Sequence, residues 1–345
     1  MNFLSAFSFL LQLQLGRFFR SKISYRSVRA GARDVRCDVY TPSGNSRGCV
    51  VTINGFSPLG NRDRRFVALN RALAGIGFTV YSPYLPDFCE LKIHERQISN
   101  LANLFRAIAS IEDISPDGKI SVLAPSFAAG LCLLAASRGD TSHLRAICTI
   151  GSFAQIDSLV ETLIANPKTD EYGRLILLRN FISLSIGKKP RIERALELAL
   201  LDNYFKNKAA GFDEFASTMP ATERKLLQRL RTDTKFRMQH WERVVRAGGR
   251  KARLLTDLSV VNHMDKMRIP ATFIHGQDDD VVPASQSSAL FAEAKKTGIP
   301  SRLVLTPLLS HGDAQKGLHL LPALFHLIRG FSFFFAHANS AKGIA

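Results

Sequence analysis

A chain of 345 residues, 46% of them hydrophobic, can bury a full core, which excludes a disordered polypeptide and suits one large domain carrying an insertion. Its net charge of +17 turns it toward anionic surfaces. The five cysteines, Cys37, Cys49, Cys89, Cys132 and Cys148, are odd in number and widely spaced, which argues for free thiols in a reducing, cytoplasmic compartment and against a zinc site or disulfide framework.

In chain order, residues 1–33 are expected to form an N-terminal helical extension. An apolar stretch over 3–15 is followed by Arg17, Arg20, Lys22, Arg26, Arg29 and Arg33, with no acidic residue among them. The stretch is too short to span a bilayer and has no basic leader or small-residue cleavage site, so it does not read as a secretory signal. Three readings stay open: an interfacial helix lying on an anionic membrane, a helix packed on the body or over a pocket mouth, and an organellar targeting segment.

Residues 34–150 alternate short strand patterns with helical ones: strands over 35–40, 49–53, 79–81, 119–123 and 146–150, helices over 64–75, 94–111 and 127–138. Such alternation implies a mostly parallel sheet flanked by helices, an α/β fold. The turn cluster at 41–48 predicts a hairpin at an antiparallel edge. Residues 151–267 then read as helical and charge-rich, with a basic block over 224–253 whose only acids are Asp233 and Glu242. That block reads as a solvated helix face; no nucleic-acid motif accompanies it, so nucleic acid is not an expected partner. Residues 268–345 return to the strand–helix pattern and end in a strongly apolar segment, 318–335, read as a helix covering the sheet.

The chemistry-bearing motif is Ile120-Ser-Val-Leu-Ala-Pro-Ser-Phe-Ala-Ala-Gly130, a short apolar strand that turns into an alanine-rich helix at Ser126. A strand reversing abruptly into a helix strains the corner residue and requires small neighbours two before and two after it. Ala124 and Ala128 are small, and Pro125 favours extended backbone at Ala124. The new helix points unpaired N–H groups at the space beside the serine, where a developing oxyanion is stabilised. The alternative for Ser126 is an ordinary helix cap.

This run resembles the nucleophile elbow of the α/β-hydrolase superfamily, with alanine at both positions where that family usually carries glycine. Two later segments are similar to the family's remaining motifs. His275-Gly-Gln-Asp-Asp-Asp-Val-Val-Pro283 looks like its Gly-x-x-Asp-x-x-Val-Pro turn, which places the acid on Asp279, with Asp278 and Asp280 as neighbours. Ser310-His311-Gly312, about thirty residues further on and after the last strand pattern, resembles its final-strand loop and places the base on His311. Of the other eight histidines, His275 belongs to the strand end before the acid, His319 and His326 read as core or interface residues of an apolar helix, and His94, His143, His240, His263 and His337 carry no partner pattern. Ile53-Asn-Gly-Phe56 looks like the end of the family's third strand, which implies oxyanion-hole N–H groups at Phe56 and Phe127. The resemblance also implies that 151–267 is a helical cap inserted between the two parts of the core, 34–150 and 268–345.

The expected activity is therefore hydrolysis of a carboxylic, acyl or lipid ester through a Ser126–Asp279–His311 triad and an acyl-enzyme, with a small-molecule ester as partner and neither cofactor nor metal. Two alternatives stand beside it. One is acyl transfer on the same triad; the other is a non-catalytic basic protein bound peripherally to an anionic membrane.

Overall fold

The computed structural model describes residues 2–16, 21–115, 117–167, 169–309 and 321–340. In chain order the elements are α1 (Asn2–Leu15), β1 (Ser21–Ala30), β2 (Arg33–Pro42), β3 (Cys49–Thr52), α2 (Arg64–Gly75), β4 (Thr79–Pro83), α3 (Pro86–Cys89), α4 (Arg96–Ala109), β5 (Ile120–Pro125), α5 (Ser126–Ser137) and β6 (Leu144–Ile150). Eight helices follow: α6 (Ile156–Ala165), α7 (Glu171–Phe181), α8 (Ser183–Ile186), α9 (Pro190–Phe205), α10 (Phe212–Ser217), α11 (Ala221–Thr232), α12 (Thr234–Arg246) and α13 (Gly249–Asp257). The chain closes with β7 (Ala271–Gly276), α14 (Ser285–Lys296), β8 (Ser301–Thr306) and α15 (Leu321–Ala338). These elements fall into two compact units, one drawn from residues 1–90, 96–154 and 260–345, the other from 91–95 and 155–259.

The first unit is built on an eight-stranded sheet in the order β1-β2-β4-β3-β5-β6-β7-β8. Strands β3 to β8 are mutually parallel, while β2 runs antiparallel to β4 and to β1. Both β3 (Cys-Val-Val-Thr) and β7 are buried along their whole length. Near-continuous burial, rather than alternation, marks a parallel sheet covered by helices on both faces. Helix α5 packs on β5 and β6, and α15 packs on β6, β7 and β8. Beneath α15 an apolar cluster joins Phe331, Phe334 and Phe335 to Phe78, Val50 and Phe9.

Two expectations at the start of the chain are corrected. Residues 21–30, expected within a helical extension, form β1 and pair with β2 from Ser21↔Pro42 to Ala30↔Arg33. The antiparallel hairpin lies here, turning at Gly31 with φ +61°, whereas β2 and β3, on either side of the 41–48 turn, are not neighbours in the sheet. The strand escaped recognition because most of its residues are exposed, so a Ser/Arg/Lys-rich sequence suffices there. Helix α1 is present as a helix and buries Ala6, Phe9 and Gln12, with Phe9 against Phe331 and Phe335 at ring-centroid distances of 4.8 and 5.4 Å. No described helix is long and apolar enough to cross a membrane.

The second unit is helical. Asp170 and Asp233 cap α7 and α12, accepting from the backbone N–H of Tyr172 and Phe236, as a side-chain acceptor at that position satisfies an otherwise unpaired donor. Its interior is closed by polar side chains as well as apolar ones. Arg237, within the basic block expected to be solvated, is 1% exposed and donates to the carbonyls of Ile164, Leu230 and Arg231 and to Thr234 Oγ1. Residues 151–154 and 260–267, expected in the insertion, belong instead to the sheet unit. Within the sheet unit the Val260 N–H bonds the Ala154 carbonyl at 2.7 Å.

Candidate active site

Strand β5 is apolar and buried from Ile120 to Ala124, and the chain passes from it into α5 without an intervening loop. Ser126 stands at that junction with φ +57°, a left-handed conformation that costs a non-glycine residue about 1 kcal/mol or more. Ala124 and Ala128 are fully buried, so strand and helix approach closely at the corner. On the strand's neighbouring side, the loop after β3 brings Gly55 against Ser126; a Cβ built on Gly55 would lie 3.5 Å from Ser126 Cβ. Asn54, 1% exposed, donates from Nδ2 to the Gly55 carbonyl at 2.8 Å, holding that loop in shape.

The two residues whose N–H groups the resemblance assigns to an oxyanion hole are brought together. The rings of Phe56 and Phe127 lie 4.8 Å apart, in a row that continues to Phe88 at 5.2 Å from Phe56 and to Phe153 at 5.0 Å from Phe127. Phe153 fits because α5 carries Gly130, where a Cβ would sit 2.2 Å from the Phe153 ring. Aromatic packing thus fixes the β3 loop to the first turn of α5.

The acidic turn follows β7, two strands along from β5. Asp279 separates from its neighbours by environment: Asp278 and Asp280 are exposed, whereas the Asp279 side chain is 4% exposed. Its Oδ1 accepts from the N–H groups of Val281 and Val282 at 3.0 and 2.8 Å. Its Oδ2 faces Gly151 at the end of β6, where a Cβ would stand 3.4 Å away and where φ is +67°. The turn is braced from beneath by His275, which is fully buried; its Nδ1 pairs with Ser287 Oγ at 2.6 Å and its Nε2 with the Val282 carbonyl at 2.8 Å. Those partners assign the Nε2–H tautomer, with Nδ1 accepting from the serine hydroxyl. No local pattern at His275 or Ser287 announced this brace, since the two meet only when α14 folds back on β7.

His311 lies outside the described residues. The chain leading toward it leaves β8, whose Thr306 pairs with Gly276, and the Leu309 carbonyl passes so near that a Cβ on Gly276 would lie 2.2 Å from it. Glycine at 276 is therefore required by this approach, three residues before Asp279.

With strand order, corner and acidic turn in place, the comparisons with known proteins agree. A family model described as alpha/beta hydrolase fold matches residues 50–311. The chain belongs to the α/β-hydrolase-fold family. Among solved structures it is similar to the Pyrococcus horikoshii acylaminoacyl peptidase, with a TM-score of 0.54, 12% identity, and coverage of 96% of this chain and 44% of the other. A Mycobacterium tuberculosis puromycin-hydrolyzing peptidase gives a TM-score of 0.55, 14% identity, and coverage of 94% and 40%. The Porphyromonas gingivalis dipeptidyl peptidase 4 gives 0.50, 12% identity, and 95% and 37%. At these identities the likeness is one of fold, and this α/β-hydrolase-fold chain spans less than half the length of each. No curated protein matches its sequence.

Proposed function

We propose that the chain is a serine hydrolase acting on carboxylic esters, with Ser126 as nucleophile, His311 as base and Asp279 as the carboxylate that orients it. The observation that carries this reading is the left-handed φ of Ser126 at an immediate strand-to-helix corner. Such strain persists where surrounding structure over-determines it, and it projects the hydroxyl clear of the backbone.

In this reading His311 takes the Ser126 hydroxyl proton as the oxygen attacks the acyl carbon. Asp279, itself held by the Val281 and Val282 N–H groups, keeps the imidazole tautomer and stabilises the imidazolium. The N–H groups of Phe56 and Phe127 receive the oxyanion, the departing alkoxide takes the proton from the imidazolium, and water then releases the acyl-enzyme by the reverse sequence. One such N–H donor is typically worth about 2.7–4 kcal/mol of barrier.

A fluorophosphonate probe tests the nucleophile: covalent labelling of the native protein that is lost in Ser126→Ala supports the proposal, and a folded protein that remains unlabelled defeats it. A paired panel of nitrophenyl esters and acylaminoacyl nitroanilides separates the ester reading from peptide hydrolysis, the activity for which the similar peptidases are named. Adding candidate alcohol acceptors and analysing products separates hydrolysis from acyl transfer.

A further inference from the structure

Helix α1 presents its apolar residues in the wrong direction for a helix that merely packs on a soluble body. Its buried face contains Ala6, Phe9 and the polar Gln12, whereas Phe3, Leu4, Phe7, Leu11 and Leu15 are 42%, 72%, 45%, 43% and 59% exposed. A surface helix ordinarily turns its polar side to water, and one that is apolar on both sides is covered on both. The exposed side continues onto α15: Phe325, 48% exposed, stands 5.8 Å from Phe3, ring centroid to centroid. Contiguous exposed apolar side chains of this size mark an interaction surface.

The charge around the patch selects the occupant. Neither α1 nor α15 carries an acidic residue. Arg329 lies 5.7 Å from the Phe325 ring centroid at the patch edge. A second copy of a chain with net charge +17 would bring like charges together, whereas an anionic lipid headgroup layer would pair with Arg329 and admit the phenyl and leucyl side chains beside it. At 14 residues α1 is about 21 Å long, short of the roughly 30 Å hydrocarbon core, so it would lie in the interface and not cross it. It is also already held on the body, where Arg47 donates to Ser5 Oγ at 2.7 Å and to Asn2 Oδ1 at 3.1 Å, so little ordering is required on docking.

We propose that the outer face of α1, together with Phe325 and Arg329 of α15, docks this protein on an anionic lipid surface. The surface is separate from the Ser126 corner and stands whether or not the chain is a hydrolase. Its test is sedimentation of the full chain with vesicles of phosphatidylcholine alone and of phosphatidylcholine mixed with phosphatidylglycerol. Binding is expected to the mixed vesicles, weakened by salt, and more than about tenfold weaker for the triple variant Leu4→Gln, Phe7→Gln, Leu11→Gln. These side chains point outward, so circular dichroism of that variant is expected to match the parent, and Arg329→Gln supplies a milder second variant.

Three results overturn the proposal: a folded parent that binds neither vesicle, binding that both variants leave unchanged, or concentration-dependent self-association that the triple variant abolishes, which would make the occupant a second copy.

Discussion

The sheet unit and the helical unit solve the problem of a closed interior differently. In the sheet unit, backbone ladders place the strands and fully buried apolar residues fill most of the space around them; Asn54, Ser126 and Asp279 stand just beyond the ends of β3, β5 and β7. In the helical unit, side chains do what ladders cannot. Arg237 ties α6 to α11 and α12, Arg174 donates to the carbonyls of Leu163, Asn166 and Thr169, and Asn180 accepts from Ile93 N–H while donating to Leu91 and Ile176. Burial lowers the Arg237 pKa to about 10, which expresses how little solvent remains to it. A rigid sheet edge suits groups that must converge within fractions of an ångström, whereas helices joined through guanidinium forks depend on a few buried polar residues.

That contrast predicts where damage is confined. The largest expected effect is on turnover: Asp279→Asn is expected to lower kcat on an activated ester by about ten-thousandfold, while Asp278→Asn, whose carboxylate is exposed, changes it little. Equal losses in a steady-state assay would reject Asp279 as the orienting acid.

Arg237→Leu comes next. It strands three carbonyls and one hydroxyl in the helical interior, and at roughly 1–3 kcal/mol for an unsatisfied buried acceptor, partly offset by removing a buried charge, a loss of about 2–4 kcal/mol is expected. The single tryptophan, Trp241, is 5% exposed within this unit, so its emission in a urea titration reports helical-unit melting directly. The Trp241 midpoint is expected to fall further than that of probe labelling at Ser126. Identical shifts would mean that the two units unfold as one.

Gly130→Ala tests the sheet unit by overpacking. The added methyl meets the fully buried Phe153 ring, and a loss of about 1–3 kcal/mol in thermal unfolding is expected, together with slower acylation, because Phe153 stacks on Phe127. A variant as stable and as active as the parent would show that this aromatic row has room to move. The smallest effect carries the opposite sign. Ser126→Gly releases a left-handed non-glycine conformation and is expected to be about 1 kcal/mol more stable than Ser126→Ala; a Tm no higher than that of the alanine variant would show that the corner stores no strain.

Much of this was legible in the chain itself. The strand and helix alternation from 35 to 150 announced a parallel sheet, and the small-x-Ser-x-small run located the corner because close strand–helix approach leaves a local trace in side-chain size. Asp279 was distinguished by its spacing from Gly276, Val282 and Pro283. Strand β1 was illegible, since its exposed side lets basic and hydroxyl residues stand where a buried strand would need apolar ones. The displaced hairpin followed from the same gap.

Sequence alone determined the local conformational preferences, the order of the elements and the residue types at the strand ends, because each depends on neighbours a few positions away. Tertiary structure alone decided that β2 pairs with β4, that His275 braces the acidic turn through Ser287, that Arg237 is an interior residue of a basic segment, and that α1 turns phenylalanine and leucine outward. Each of these is a matter of burial and partnership between segments distant along the chain, where desolvation and hydrogen bonding outweigh the preferences of any single stretch.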